Sequence, residues 1–446
     1  LDNIKVFTIC SEPTRQYDPA ISGNIVVWTD QRSDLGDIGG ADISDINNIR
    51  TFSLVRAAGI QQQPAIDGRY MVYVDGDTDS GNIKAAFIAG QCAMDIPLTG
   101  SPYGSGPVID GTTIVWQTST HQQLEALSID FLYSTVEGPI QNTVSGKKYD
   151  YIQHAINDSN DGDIIVVQPG MYCENIDTHG KIITIRSSDP NDPESTVLMA
   201  MNNDYAAVTY SDGQDSNCVL EGFTITGSNI GIYCEEFSSP TISKCDICGN
   251  TQYGIYLYGG SEPVISECRI MNNGDTGIRM RKVGEVYNKP VIINCVISGN
   301  GLFGISNGKP TIQNCTIANN MMIGLYNSEA AVVNSIIYFN GDESLMSQVM
   351  SGDNTIIYSD VQGTWIGTGN IDSDPLFADS QTGDYHLKSS TGRWDPNSMT
   401  WVNDISSSPC IDAGNPLSDI GMEPAPNGSI INMGAYGGTE QASMTP

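Results

Sequence analysis

The densest group of basic side chains in the sequence is Arg279, Arg281 and Lys282, in the segment GIRMRK. Such a group could supply a base for proton abstraction. If residues 278–281 form a strand, alternation turns the isoleucine and methionine inward and the two arginines outward. Outward arginines could also anchor a binding partner.

The outer position of Arg279 is a tyrosine in several neighbouring repeats, which predicts a Tyr/Arg strip along one face. The Tyr/Arg strip consists of Tyr233, Tyr256, Tyr258, Arg279, Arg281 and Tyr326. Such a strip could stack on sugar rings or grip a partner protein, because tyrosine and arginine are common binding anchors. Tyrosine is also frequent on outer strands that bind nothing. Both interpretations stay open.

Aspartates at alternate positions of DGDTDSG suggest calcium as a cofactor: Asp75, Asp77 and Asp79. An EF-hand loop needs glycine at its sixth position and a bidentate glutamate at its twelfth, and this segment has neither. A solvated hairpin turn is the alternative. The histidines lie in no comparable pattern and are expected at the surface: His121, His154, His179 and His386.

A repeat between residues 218 and 335 must position the strip. Its first marker recurs at steps of 27, 23, 27, 20 and 20 residues: Cys218, Cys245, Cys268, Cys295, Cys315 and Ser335. An asparagine follows at a fixed offset: Asn250, Asn273, Asn300, Asn320 and Asn340. A glycine opens the next strand: Gly231, Gly254, Gly277, Gly304 and Gly324. Three residue types that keep one period predict a solenoid.

The runs between these markers are too short and too broken by Gly and Asn for helices, so they predict strands of two to four residues. Coils must stack about 4.8 Å apart to bury their apolar faces. The cysteines then form an inner ladder of small hydrophobic side chains. The asparagines form a ladder at a turn, where asparagine tolerates the left-handed conformation and can bond to the neighbouring coils. The longer steps predict loops at 235–239 and 284–289. We expect nine or ten coils.

This pattern resembles the right-handed parallel β-helix of the pectate-lyase-like superfamily. The resemblance implies a β-helix over residues 136–350, entered by an amphipathic helix that caps the core, and further coils with a capping tail over 351–446. The superfamily contains polysaccharide lyases, hydrolases and epimerases. Its hydrolases carry aspartates in NTD, DD and GHG motifs, none of which occurs in this sequence. The sequence therefore gives no catalytic residue, and whether the chain is an enzyme stays open, with the balance against it.

Residues 1–135 carry a different repeat, of 45 and 43 residues, marked by Pro19, Pro64 and Pro107. In each unit a glycine and then an aromatic strand follow, as in DPAISGNIVVWTD. This wording resembles TolB-like β-propeller repeats. Propellers close with about four to eight blades, and only three units are visible. We expect an all-β chain in which an incomplete propeller-like domain precedes the solenoid. A hidden blade, the β-helix or another chain could cover its open edge.

The chain is strongly acidic, with 52 Asp and Glu against 20 Lys and Arg in 446 residues and a net charge of −32. The chain lacks the clusters of basic residues that nucleic-acid binding needs. Its negative charge repels polyanions unless calcium bridges them. No apolar run approaches the roughly 20 residues of a membrane span. An odd number of cysteines, 11, leaves at least one thiol unpaired. Cys10 and Cys92 are the best candidates for a disulfide.

Two classes of function follow from these observations. The first is a secreted, non-catalytic structural or adhesive protein of the extracellular space or cell surface, which associates with copies of itself into a filament or layer. The second is a carbohydrate-active enzyme, a lyase or hydrolase, or a glycan-binding protein, which would bind a polysaccharide. The second rests on the fold resemblance alone.

Overall fold

The computed structural model describes residues 8–10, 15–23, 25–31, 37–43, 49–55, 60–67, 70–76, 81–89, 92–96, 104–110, 113–118, 124–128, 138–200, 206–341 and 348–446. The chain forms two compact units, residues 1–135 and 136–446. Apart from one short α-helix and a single 3-10 turn, the regular structure of the described residues is β-strand. The predicted all-β class is confirmed.

The first unit contains antiparallel meanders, which we name sheets A, B and C. Sheet A comprises Gln16–Ser22, Ile25–Asp30, Asp37–Asp42 and Arg50–Val55. Sheet B comprises Gln61–Asp67, Tyr70–Asp75, Asn82–Ala89 and Cys92–Ile96. Sheet C comprises Ser105–Asp110, Thr113–Gln117 and Leu124–Ser128. Each sheet begins with the strand that holds the repeated proline.

The proline repeat of the first unit is also a repeat of backbone conformation. The residue before each proline is left-handed, with φ of +50° at Asp18, +53° at Gln63 and +56° at Gly106. The pairing of the first two strands shifts register at this point in every sheet. The sequence repeat thus encodes one β-bulge in each sheet.

The second unit is a parallel solenoid whose coils each add one strand to sheets D, E and F. Sheet D comprises Lys148–Tyr149, Ile140–Asn142, Ile164–Val167, Thr184–Ser187, Val219–Glu221, Thr241–Ser243, Val264–Ser266, Val291–Ile293, Thr311–Gln313, Ala331–Val333 and Thr355–Ile357. Sheet E comprises Gly170–Cys173, Thr196–Met199, Thr224–Thr226, Asp246–Cys248, Arg269–Met271, Val296–Ser298, Thr316–Ala318, Ile336–Tyr338 and Asp360–Val361. Sheet F comprises Ile176–Asp177, Ala206–Tyr210, Ile230–Cys234, Tyr253–Tyr258, Ile278–Arg281, Phe303–Ser306, Ile323–Tyr326 and Val349–Met350.

The strand order gives 8 complete coils, the number of strands in sheet F. A ninth coil adds strands only to sheets D and E. The expected nine or ten coils slightly exceed the 8 complete ones, and the incomplete ninth coil lies within residues 351–446, where further coils were expected. The predicted loops at 235–239 and 284–289 both follow strands of sheet F.

Stacks of identical side chains fill the inside of the solenoid. In sheet E, for example, Ile270 pairs with Ile247 before it and Ile297 after it, and all are buried. The helix Ile152–Asp158 lies at the first coil with its apolar face in this core. At the other end Trp365 packs against the same core. Apolar side chains therefore cover both ends, as an open solenoid requires.

The C-terminal tail contains the hairpins Phe377–Asp379 with Asp384–Leu387 and Arg393–Asp395 with Thr400–Val402. The sequence predicts a cap, but much of the tail runs along the flank of the solenoid. There Phe377, Leu387 and Met433 share one core with Val296 and Ile336, outward residues of sheet E. Sheet E turns apolar side chains outward here, and the tail buries them.

Candidate functional site

The Tyr/Arg strip lies on the outer face of sheet F. Parallel pairing puts Tyr256 opposite Tyr233 on one side and Arg279 on the other, and Tyr258 opposite Arg281. The row continues through Ser306 to Tyr326. Four coil steps of about 4.8 Å make it roughly 19 Å long. The structure thus brings all the predicted strip residues together.

Alternation along the strands of sheet F explains why these side chains point outward. Their neighbours Ile255, Leu257, Ile278 and Met280 are fully buried in the solenoid core. A side chain between two inward residues of a strand must face the other side. Arg281 is exposed, and the other strip residues are half-buried.

The aromatic rings of the strip stack on one another. The centroids of Tyr233 and Tyr256 lie 5.5 Å apart at 20°, and Phe303 lies 4.3 Å from Tyr326 at 3°. Tyr253 also contacts Tyr256, with centroids 5.3 Å apart. Rings stacked along the coil axis turn edges and hydroxyls outward and hide most of their faces. This geometry argues against a flat platform for sugar rings.

Tyr253 and Phe303 belong to this surface but were not among the predicted residues. Each directly precedes a repeat glycine, Gly254 or Gly304. That position was available in the sequence as a second aromatic signal. The prediction rested on the position two residues after the glycine, where Tyr233 and Tyr256 lie.

Polar contacts fix one end of the strip. The Tyr233 hydroxyl donates a hydrogen bond of 2.8 Å to Oε2 of Glu235. Burial, this hydrogen bond and the carboxylate together raise the pKa of Tyr233 well above its ordinary value. Glu235 is therefore engaged as an acceptor and is poorly placed to act as a general base.

The two strip arginines have no carboxylate partner among the described residues. Arg279 donates through Nη1 to Oγ of Ser306 at 3.2 Å. The guanidinium carbon of Arg281 lies 5.9 Å from the centre of the Tyr258 ring. In a chain of charge −32, two arginines without a paired acid among the described residues are a local concentration of positive charge, and guanidinium groups form strong hydrogen bonds with anionic groups.

The third basic residue of the predicted group, Lys282, belongs to a different contact. Its ammonium lies 4.7 Å from the centre of the Tyr287 ring and 3.7 Å from Glu285 Oε2. Lys309 lies over the same ring at 4.3 Å. Tyr287 thus sits between two lysines, and the cationic group divides into a strip pair and a loop residue.

Asp75, the described member of the predicted calcium residues, lies in sheet B of the first unit. Asp75 Oδ1 accepts a hydrogen bond of 3.1 Å from Gln61 Nε2, and Asp77 and Asp79 lie outside the described residues. Over the described part of the chain, no group of three or more His, Cys, Asp or Glu side chains could hold a metal ion. The calcium site stays a prediction.

Each described histidine has a local contact of its own. His154 contacts Tyr151, and His179 lies 3.4 Å from Asp177. His386 is buried, stacks on Tyr436 and lies 2.6 Å from Asp384. It is not the surface residue that the sequence suggested, and His121 lies outside the described residues.

The cysteine ladder lines one inner corner of the solenoid. Cys218, Cys245, Cys268, Cys295 and Cys315 are free thiols and are buried. Their Sγ atoms donate to carbonyls of the chain, as Cys268 does to Ser266 at 3.2 Å. Burial raises the pKa of Cys218 to about 11. Cys10 is also a free thiol, so the suggested disulfide with Cys92 is not formed.

The asparagine ladder is a continuous chain of buried hydrogen bonds. Each Nδ2 donates to the Oδ1 of the next coil, at 3.0 Å from Asn250 to Asn273 and at 2.8 Å from Asn300 to Asn320. Gln348 ends the chain by accepting from Asn340 at 2.8 Å. The sequence did not predict this last member, because glutamine here replaces the repeat asparagine after an irregular insertion.

The ladder asparagines are not the left-handed residues, contrary to the prediction. Positive φ falls on the residue before each of them, such as Asn272 at +55° and Gly299 at +65°. That residue turns the chain, and the ladder asparagine then points inward. A Cβ at Gly277 would meet Asn300 Nδ2 at 2.9 Å, which explains why glycine opens the strand.

A second row of asparagines, which the sequence analysis missed, holds the tail. Asn294 Nδ2 donates to the carbonyls of Ala435 and Gly437 at 2.9 and 2.8 Å. Asn314 Nδ2 donates to the carbonyl of Asn432 at 3.0 Å. Asn334 Oδ1 accepts from the amide of Asn415 at 2.7 Å. Each of the three precedes a ladder residue in sequence (N-C, N-C and N-S), and that spacing was a visible signal.

The solenoid is a right-handed parallel β-helix, and comparison with known proteins supports that class. The family described as "Right handed beta helix region" matches residues 173–307 and 230–373. The crystal structure of pectate lyase Pel9A aligns over 64% of this chain and 90% of its own, with a TM-score of 0.38 and 17% identity.

One curated relative matches a short part of the chain. A cell surface glycoprotein of Methanothermus fervidus is 34% identical over 106 residues, 23% of this chain. The match spans 16% of that relative's length. Among the described residues, the structure contains no helix long and apolar enough to span a membrane.

Proposed function

We propose that this chain is a secreted, non-catalytic structural or adhesive protein of the cell surface that binds through the Tyr/Arg strip and associates with its own copies. The observation that carries the proposal is the strip itself. It presents ring edges, hydroxyls and two arginines without carboxylate partners, an arrangement suited to contact with an acidic partner surface. The surface glycoprotein relative supports the location.

The strip is better suited to holding a partner than to catalysis. Elimination or hydrolysis needs a base or acid aimed at an open space. The carboxylate at the end of the strip, Glu235, accepts the hydrogen bond of Tyr233. Arg279 is held by Ser306. These contacts order the surface, which lowers the entropy cost of binding.

We also propose that sheets A, B and C are three blades of an incomplete propeller. Their antiparallel meanders, the repeated bulge at the proline and the 45- and 43-residue periods support this. A set of blades that does not close leaves sheet surface uncovered, and proteins rarely leave such surface bare. This is the reason to expect self-association, into a closed complex, filament or layer.

The binding role is tested with Tyr256→Ala and Arg279→Ala. Both side chains are half-buried on the outer face, so the fold should persist. We expect each variant to weaken binding of the full chain to an acidic polypeptide such as poly-glutamate, or to its own copies, by about 2 kcal/mol or roughly 30-fold. Arg186→Ala, which removes an outward arginine from sheet D, is the matched control and should bind as the wild type does.

The same variants also test the alternative that the chain binds or cleaves a carbohydrate. Polygalacturonate is added with and without calcium, and binding and the formation of unsaturated product are measured. Enzymatic turnover would overturn the non-catalytic proposal. Binding of the polysaccharide without turnover, lost in Arg279→Ala, would make the strip a glycan site. Unchanged binding of every probe in both strip variants would remove the strip from the function.

A further inference from the structure

Sheets A, B and C stack in one direction, and each junction joins two different faces. At the first junction Val27 and Ile38 of sheet A pack against Ile66 and Met71 of sheet B. At the second, Val72 and Val74 of sheet B pack against Ile114 and Trp116 of sheet C. The repeat alignment makes Val27 equivalent to Val72, and Met71 equivalent to Ile114. We call the face of a sheet that packs on the next sheet its trailing face, and the opposite face its leading face. Both junctions therefore join a trailing face to a leading face.

Hydrogen bonds near the repeated bulge also run across these junctions. The amide of Gln63 in sheet B donates to Oγ1 of Thr29 in sheet A at 3.2 Å. The amide of Gly106 in sheet C donates to Oε1 of Gln63 at 2.8 Å. The two acceptors are not equivalent positions, because Val74 takes the place of Thr29 in sheet B. The junctions share the donor, which is the amide of the residue before the repeated proline.

The trailing face of sheet C carries two exposed apolar side chains. Val108 is 57% exposed and Leu124 is 76% exposed. They lie on one side with Val115 and Gln117, because Val115 pairs with Val108 and Gln117 with Leu124. Asp110 lies at the edge of the same side, because it pairs with Thr113, and it is exposed. The corresponding residues of sheet B, Val72 and Val74, are fully buried by sheet C.

The leading face of sheet A is the other end of the stack of described sheets. Ile9 and Cys10 pack around Val26 and Trp28 on this face. They leave Ile21 60% exposed. The equivalent residue in sheet B is Ile66, which is buried in the first junction. Sheet A therefore offers, at Ile21, the same type of surface that sheet B presents to sheet A.

We propose that the trailing face of sheet C docks on the leading face of sheet A in a second copy of this chain. The inference rests on the proposed self-association and names the surface that mediates it. Continuity with the two junctions inside the chain selects the partner face, since each junction joins trailing to leading. Two copies joined twice in this way form a closed ring of six sheets, within the four to eight of known propellers. The contact is two-fold symmetric and ends at a dimer.

The test is sedimentation velocity of the full chain between about 1 and 100 μM, in 0.15 and 0.5 M salt to screen the charge. The wild type is expected to be dimeric at the upper concentrations. Val108→Glu and Ile21→Glu should each weaken the dimer at least 30-fold without loss of fold, because both side chains are largely exposed. Val144→Glu is the matched control, an equally exposed valine (63%) of the solenoid unit, and should remain dimeric.

Mixing the two disrupted variants sharpens the test. A mixed pair of Val108→Glu and Ile21→Glu chains has one junction with both faces intact, so a mixed dimer should form while each variant alone stays monomeric. A monomeric wild type would overturn both this inference and the proposed self-association. A wild-type dimer that both variants retain would overturn only the docking surface. A dimer lost in Val108→Glu but kept in Ile21→Glu would replace the head-to-tail pairing with a contact between two C sheets.

Discussion

The thiol of Cys410 donates a hydrogen bond of 3.1 Å to Oδ2 of Asp360, and both side chains are 0% exposed. The amide of Ser373 donates to the other carboxylate oxygen at 3.1 Å. Burial is the main cause that raises the pKa of Asp360 to about 7, and the carboxylates of Asp372 and Asp374 act in the same direction. The tail is thus joined to the solenoid through a carboxyl group whose pKa is about 7.

Asp360 should make the protein less stable as the pH rises. Its folded pKa of about 7 lies above the roughly 3.9 of an unfolded aspartate. The stability it contributes is therefore full below about pH 4 and is lost as the pH rises through about 7. We expect Asp360→Asn to remove this loss and to raise the free energy of unfolding at pH 8.5 by up to about 4 kcal/mol.

Unfolding in guanidinium at pH 4.5 and 8.5 measures the effect. The quantity compared is the difference in the free energy of unfolding between the variant and the wild type at each pH. Asp395→Asn serves as the control, because the pKa of the exposed Asp395 is lowered by its hydrogen bond from Ser398. A difference for Asp360→Asn that is the same at both pH values would show that the carboxyl group does not titrate as described.

The ladder cysteines should react slowly in the native protein. Burial raises the pKa of Cys245, Cys268 and Cys295 far above the ordinary value, and only the thiolate attacks a labelling reagent. Cys10 and Cys248 are half-buried and should react first. Mass spectrometry of peptides after labelling at pH 8, with and without denaturant, reads each site. Rapid native labelling of the whole ladder would contradict the buried arrangement.

The asparagine ladder should contribute more to stability than surface asparagine pairs. Asn300 donates to Asn320 and Ile270 and accepts from Asn273, all inside the solenoid. Replacing Asn300 by Ala leaves several buried partners unsatisfied, so we expect a loss of about 3–5 kcal/mol in the free energy of unfolding. Chemical denaturation measures it.

Asn327→Ala is the matched control for the ladder. Asn327 also donates to an asparagine of the neighbouring coil, Asn307, at 2.8 Å, but this bond is exposed. Water can replace the lost group there, and we expect a loss below about 1 kcal/mol. Equal losses in the two variants would mean that burial of the ladder has no energetic role.

The second asparagine row should stabilise the packing of the tail on the solenoid without stabilising the solenoid itself. In Asn314→Ala the carbonyl of Asn432 loses its donor, and the tail should open more often. We expect proteolytic cleavage within residues 376–446 to become about tenfold faster, the equivalent of about 1.4 kcal/mol. The cleavage rate is followed by electrophoresis and mass spectrometry.

Lys244→Ala is the control for the tail, because Lys244 occupies the same left-handed position in an earlier coil and its ammonium contacts Asn191 instead. Cleavage of the tail should be unchanged in this variant. If Asn314→Ala leaves the tail as resistant as in the wild type, the apolar contacts with sheet E are sufficient to hold it.

Much of the solenoid and of the strip was predictable because both are periodic. A position such as that of Tyr256 pairs with the equivalent position in each adjacent coil. The spacing of residues in the sequence therefore predicts which side chains are neighbours in the structure. Alternation then places Arg279 outside and Ile278 inside. The mutual stacking of Tyr233 and Tyr256 was not predictable, since spacing gives the distance between two side chains but not the rotamers that turn ring faces together.

The sequence by itself determined the all-β class, the parallel coils, the cysteine and asparagine ladders and the residues of the strip, because each depends on contacts repeated from one coil to the next. Only the tertiary structure decided where the tail goes. The bond from Asn294 to Ala435 joins residues 141 positions apart, and no period connects them. Likewise the burial of Asp360 depends on Cys410 arriving from the tail, 50 residues later. Such contacts are made once, so their physical basis lies in the fit of two particular surfaces and leaves no repeating trace in the sequence.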